Sequence, residues 1–173
     1  MEHFGILEDG SEVHSITLGT PDALQAQVLT YGGILRRLTF PVRGTPRDLI
    51  VTLPDLANYV RDTTFQGILV GRVANRIAGA RFELDGRTHR LTANHGVNQL
   101  HGGRLGFGKH IWRVLDLQRR ASEHLLLGLR SPSGEEGFPG NLDVTAEIAL
   151  EGGELRLRFE ARCDEATPLN LTY

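Results

Sequence analysis

The chain of 173 residues has a single cysteine, Cys163, so no intramolecular disulfide can form and a zinc site built on cysteines is ruled out. A lone thiol fits a reducing compartment, and a cytoplasmic location is expected. Long apolar runs are also missing. No stretch reaches the roughly 18 uninterrupted apolar residues of a membrane-crossing helix, and the opening MEHFGILEDG carries acids where a secretory leader would be apolar. Neither charge is in large excess: 19 basic residues against 21 acidic ones leave a net charge of -2, scattered along the chain. That excludes the electrostatic footprint of a nucleic-acid or anionic-membrane binder and points to a neutral small-molecule partner. Helix-like periodicity is scarce too, with only Pro54–Val60 reading as one short helical turn beginning near the proline, where a missing N–H does no harm.

What the chain has in abundance is punctuation. Twenty-one glycines and seven prolines divide it into short segments that often alternate apolar and polar positions, the pattern of many strands. In RFELDGRTHRL, Phe82 and Leu84 alternate with Arg81 and Glu83, Asp85-Gly86 is a hairpin turn signal, and Thr88–Leu91 resumes the extended pattern. The run from Glu154 to Phe159 predicts a strand with its apolar set on a core and its arginines in water, after a turn at Glu151-Gly152-Gly153. Further strands are predicted over Gln27–Thr30, Ile34–Phe40, Ile111–Gln118, His124–Leu129 and Leu142–Leu150. Strands joined by tight turns bury their apolar faces most easily against a second sheet, so the expected fold is all-β, an antiparallel β-sandwich. With 40% hydrophobic residues, no repeat and no linker, residues 1–173 are expected to form a single domain. The final Pro168–Tyr173 has strand character to its last residue, so the domain is expected to be truncated there.

The densest polar cluster is Gly71-Arg72-Val73-Ala74-Asn75-Arg76-Ile77-Ala78-Gly79, joined by Asn98-Gln99-Leu100-His101-Gly102-Gly103 after the hairpin. An amide, a guanidinium and an imidazole beside flexible backbone suit a polyhydroxylated neutral ligand such as a sugar. Each has a plainer reading: Arg76 as a surface or structural ion-pair arginine, His101 as a residue that hydrogen-bonds a turn. Trp112, the sole tryptophan, could stack on a sugar but is more often core in such an alternation. Glu135-Glu136 is expected to be a solvated loop pair without a catalytic role. His3, His14, His89, His95, His110 and His124 show no metal-ligand spacing and default to surface or turn positions.

GRVANRIAGARFELDG, NQLHGG, GFGKHIW, SPSGEEGFPGNL and TPLNLTY, in this order and at these spacings, resemble the aldose 1-epimerase family over most of the chain. The resemblance implies a galactose-mutarotase-like β-sandwich that interconverts the α and β anomers of a free aldose without cofactor or metal. It implies that His101 contacts the sugar near the reacting centre and that Asn75 and Arg76 bind its hydroxyls. Ring opening needs one proton delivered to the ring oxygen and another removed from the anomeric hydroxyl, so an acid and a base on opposite sides are required. Family members place the acid histidine directly after a block like Asn170–Tyr173 and the base glutamate far downstream. The chain is therefore expected to hold part of the sugar site, to lack the proton-transfer pair and to be inactive alone. In Gly106-Phe107-Gly108-Lys109 a glycine stands where relatives commonly carry aspartate, which puts a local hydrogen bond in doubt. Two alternatives stay open: a noncatalytic carbohydrate-binding module of the same fold, and a hexose-phosphate 1-epimerase using Arg72 and Arg104 as extra cations. The sequence sets no oligomeric state.

Overall fold

A computed structural model describes residues 1–119 and 123–173. The first sheet is a five-stranded antiparallel meander of β1 (Glu2–Ile6), β2 (Glu12–Gly19), β3 (Gln25–Leu29), β4 (Leu35–Val42) and β5 (Thr45–Asp48), each strand paired with the next. A short helix, α1 (Leu56–Arg61), follows. Then come two ribbons: β6 (Arg76–Ile77) pairs with β9 (Gln99–Leu100), and β7 (Arg81–Leu84) pairs with β8 (Arg87–Arg90) between them. The second main sheet is a four-stranded antiparallel meander of β10 (Arg113–Arg119), β11 (Glu123–Ser131), β12 (Leu142–Glu151) and β13 (Glu154–Cys163). Among the described residues, no helix is long and apolar enough to cross a membrane.

The two meanders share one core. Ile16, Leu18, Ala26 and Val28 of the first sheet meet Leu125, Leu127, Val144, Ala146 and Ile148 of the second, with Phe107 and Trp112 filling in. Most of these side chains are fully buried, and each valine, leucine, isoleucine and phenylalanine among them contributes about 1.5–3 kcal/mol of transfer free energy. In β12 the alternation is plain: Leu142, Val144, Ala146, Ile148 and Leu150 all point into the core. Val13 and Leu29 fall on the other register and join Tyr31, Ile34, Leu56 and Tyr59 in a second cluster beneath α1. A third cluster, Ala80, Leu91 and Phe138 with Val73, Ile77, Phe82 and Ala93 packed on it, lies under the two ribbons.

The predicted hairpin forms, its turn held by Asp85 (φ 50°) and Gly86 (φ 73°), the paired left-handed residues of a two-residue turn that matches the strands' twist. The six other predicted strands are present as β3, β4 and β10 to β13. In β13 the apolar set divides: Leu155 and Phe159 pack on the core, while Leu157 stays 36% exposed. The helical turn starts at Leu56 instead of at Pro54, because the Asp55 carboxylate accepts the Asn58 N–H at 2.9 Å and caps it. The strands β1, β2 and β5 were not anticipated. In β2 both faces carry buried residues, Val13 and Ser15 on one and Ile16 and Leu18 on the other, so the alternation that signals a half-buried strand is absent.

Candidate functional site

The site is assembled by the β6–β9 ribbon. Its two strands pair Arg76 with Leu100 and Ile77 with Gln99, which sets Asn75 at the start of one strand beside His101 at the end of the other. The contact is reciprocal: the His101 backbone N–H donates to the Asn75 carbonyl at 3.0 Å, and the Asn75 backbone N–H donates to His101 Nδ1 at 3.1 Å. Both residues sit in the left-handed region, Asn75 at φ 65° and His101 at φ 50°. Such backbone costs of order 1–3 kcal/mol for a non-glycine residue and gathers at functional sites. The Arg76 guanidinium donates to Asn75 Oδ1 at 3.0 Å. Residues 26 apart in sequence thus form one cluster, with Asn75 and Arg76 exposed and His101 half-buried.

The plainer readings now separate. Arg76 is in no ion pair among the described residues, so its charge is not spent on a neighbouring carboxylate. His101 does hydrogen-bond a turn, but with Nδ1 alone. With Nδ1 accepting an N–H, a neutral ring carries its proton on Nε2 and presents a donor. Burial pulls the imidazole pKa below its ordinary value of 6.5, and the nearby Arg76 charge adds to this. Protonation would also set two N–H groups against each other at the Asn75 contact.

A pH prediction follows from that direction. Because the folded pKa lies below the unfolded one, the unfolded state binds more protons in the interval between them. The contribution of His101 to stability is complete above about pH 6.5 and is lost as pH falls through its folded pKa. His110 goes the other way. Its hydrogen bond to Glu135, 3.2 Å away, raises its pKa against the effect of burial. Stability from that pair is complete below the ordinary histidine pKa and fades as pH rises through the raised one. In a proton NMR titration His110 is expected to titrate at higher pH than His101; the reverse order would contradict both environments.

Sequence reasoning overlooked Phe65 and Asn94 in this neighbourhood and took the Glu135-Glu136 pair for solvated. Phe65, itself left-handed at φ 60°, sets its ring edge-on to His101 with centroids 4.6 Å apart. Asn94 hydrogen-bonds the Leu100–Gly103 turn, and its place before His95-Gly96 was the only signal it gave. Glu136 accepts the Leu105 backbone N–H at 2.7 Å, and Glu135 lies between His110 and the Ser131 hydroxyl, so this acidic pair is built into the loop and is not solvated as expected. For Glu135, burial raises the pKa, but the His110 and Ser131 hydrogen bonds outweigh it and the net shift is downward.

Two expectations concerning arginine and tryptophan resolve in favour of structure. Arg72 is 2% exposed and its guanidinium is hydrogen-bonded to carbonyl and hydroxyl oxygens, so it is not available to a phosphate; that leaves only exposed Arg104 of the pair proposed for a phosphorylated hexose. Trp112 is buried, with its indole N–H donating to the Phe107 carbonyl at 3.1 Å. The glycine-bearing loop before it closes without the expected aspartate: the Lys109 N–H bonds the Gly106 carbonyl at 2.8 Å, and Lys109 Nζ bonds the Val60 carbonyl at 3.0 Å. A cleft of about 790 Å³ lies between β1, α1 and residues 104–109, and Asn75, Arg76 and His101 do not line it.

The blocks that carried the resemblance also meet in space. The Asn170–Thr172 segment runs beside residues 70–74, with hydrogen bonds from Val70 N–H to the Thr172 carbonyl and from Ala74 N–H to the Asn170 carbonyl, both 2.8 Å. An all-β sandwich that brings these blocks together is the galactose mutarotase fold of the solved structures it resembles. The aldose 1-epimerase family model matches residues 14–173, and the chain belongs to that family. It is 37% identical to galactose mutarotase from Sus scrofa over 172 residues, 98% of this chain and 48% of that protein. It is 36% identical to aldose 1-epimerase from Haemophilus influenzae over 165 residues, 95% of this chain and 47% of that protein. The crystal structure of an aldose epimerase homologue from C. elegans superposes with a TM-score of 0.84 at 29% identity, covering 92% of this chain and 49% of that one. The chain spans about half the length of the relatives it matches.

Proposed function

We propose that this chain carries the sugar-recognition part of an aldose 1-epimerase site, taking free hexoses such as galactose and glucose, with His101 near the anomeric centre and Asn75 and Arg76 on the hydroxyls. The observation that carries this reading is the convergence of an exposed amide, an arginine free of any carboxylate among the described residues and a histidine with one nitrogen committed, all on one ribbon. The scattered charge and net -2 suit a neutral ligand, and the single cysteine suits a reducing, cytoplasmic setting. His101 brings one titratable ring to the cluster, and among the described residues the hydrogen-bond partners of the three include no carboxylate. Ring opening calls for an acid and a base, each worth roughly 10²–10⁴-fold. The chain alone is therefore expected to bind sugar without turning it over, and we assign the full reaction to the family's longer proteins.

The test pairs a sugar titration with polarimetry. D-galactose is expected to bind saturably, about 10–100-fold more weakly after Arg76→Ala, the scale of losing hydrogen bonds to a charged donor. Freshly dissolved α-D-galactose and α-D-glucose are expected to mutarotate at the spontaneous rate with the chain present. Absence of saturable binding by either sugar would remove the recognition reading. Acceleration that disappears in His101→Ala would show the chain to be an enzyme by itself.

A further inference from the structure

Outside the three residues of the cluster, the Asn94 side chain hydrogen-bonds the turn that carries His101. Asn94 uses all the hydrogen-bonding valences that the turn can reach: Oδ1 accepts the Leu100 N–H at 2.6 Å, while Nδ2 donates to the carbonyls of Leu100 and Gly103, both at 2.9 Å. These bonds fall on either side of His101. Asn94 is itself fixed, because its backbone N–H donates to the Asn98 carbonyl at 3.1 Å and its side chain is half-buried.

We propose that Asn94 is a positioning residue for His101, bracketing the turn from Leu100 to Gly103 so that the imidazole keeps Nδ1 on Asn75 and leaves Nε2 to the ligand. This rests on the reading of His101 as the group that meets the sugar. The physical need is clear from the backbone: at φ 50° His101 occupies a region that a residue with a Cβ leaves when nothing holds it. The turn's own hydrogen bond, Gly103 N–H to the Leu100 carbonyl at 3.1 Å, closes the loop but fixes neither the Leu100 N–H nor the Gly103 carbonyl. A short primary amide can donate twice through its nitrogen while its oxygen accepts. Aspartate would accept the Leu100 N–H and repel both carbonyls. Freed from the bracket, residue 101 would swing out of the left-handed region, Nδ1 would release the Asn75 N–H, and the ring would gain solvent. The charged group acting on that ring is Arg76, and the aromatic ring against it is that of Phe65.

The experiment is ¹⁵N NMR of the imidazole nitrogens in the whole chain, followed through a pH titration with and without D-galactose. In the parent protein His101 is expected as a single tautomer protonated on Nε2. In Asn94→Asp the tautomer is expected to mix, the titration midpoint to rise toward the ordinary histidine value, and galactose affinity to fall about tenfold, the scale of one lost hydrogen bond. Val144→Ala, which only opens the core in β12, serves as the control: it is expected to lower the melting temperature and leave the His101 tautomer alone. Should Asn94→Asp keep the parental tautomer and midpoint, the proposal is overturned. If that variant fails to fold, the parent decides: Asn94 amide protons that exchange slowly and shift as His101 titrates support the bracket, and exchange as fast as that of a solvated asparagine refutes it. A released tautomer in Asn94→Asp, with no galactose effect on His101 in the parent, would uphold the positioning role and dismiss the sugar reading.

Discussion

Arg72→Ala is expected to destabilise the fold by about 3 kcal/mol or more, the scale of several buried acceptors losing their donor at roughly 1–3 kcal/mol each, and to lower the melting temperature by roughly 10 °C. The reason is a guanidinium at 2% exposure that donates in every direction it can. Its Nε donates to Ser131 Oγ at 2.9 Å and one terminal nitrogen donates to the Pro139 carbonyl at 2.7 Å. The other terminal nitrogen donates to the carbonyls of Ser131, Pro132 and Gly140, each at 2.9 Å. Alanine would remove these donors from the buried acceptors, of which the Pro132 carbonyl keeps the Glu135 N–H at 3.1 Å, and it would also remove the cation placed 5.8 Å over the Phe138 ring. Part of the loss is offset, because burial disfavours the charged form and removing the charge recovers that desolvation. Lysine tests the geometry: one nitrogen with three donors cannot fork between the Ser131 and Pro139 carbonyls, so Arg72→Lys is expected to recover less than half of the loss. Arg72→Met keeps the apolar stem and drops the charge. Equal stability of Arg72→Met and the parent in urea unfolding would show that the network contributes nothing net.

The same arginine shows what the sequence could and could not convey. The GRVANR and NQLHGG blocks were legible as one dense polar cluster, and in the fold Asn75 bonds His101 while Arg76 bonds Asn75. Residue type and spacing did not separate Arg72 from Arg76, two arginines four positions apart in the same block; only the family resemblance singled out Arg76. The separation comes from partners at residues 131, 132, 139 and 140, far along the chain. Strands with one wet face, such as β12, and the Asp85-Gly86 hairpin were readable because period and turn chemistry are local properties. β2 was not, since burial on both faces erases the alternation, and the cap of α1 fell to Asp55 because a carboxylate satisfies a free N–H where a proline merely tolerates its loss. Glu135 and Glu136 were misjudged for the same reason as Arg72: their partners, His110 and the Leu105 N–H, are supplied by another loop.

Gly102→Ala is the second large effect expected, about 3 kcal/mol or more, and it would strike the site and the fold together. At φ 83° Gly102 lies where an L-residue is strained, and a Cβ built there would stand 1.8 Å from the Gly71 carbonyl oxygen and 2.9 Å from the Arg72 backbone nitrogen. These are backbone atoms, so no side chain can rotate away; residues 71 and 102 must part. The reciprocal bonds between Asn75 and His101 span the same gap, and parting would lengthen both. Gly96→Ala separates strain from contact, because Gly96 is also left-handed, at φ 61°, yet a Cβ there meets nothing within 4 Å. Its cost is expected to be only the roughly 1–2 kcal/mol of the left-handed backbone, with galactose binding unchanged. The difference between the two unfolding free energies then isolates the price of closing residue 102 on residue 71. If the two variants lose equal stability and both keep the His101 Nε2 tautomer, the close approach that brings the two sequence blocks into one site does not exist in solution.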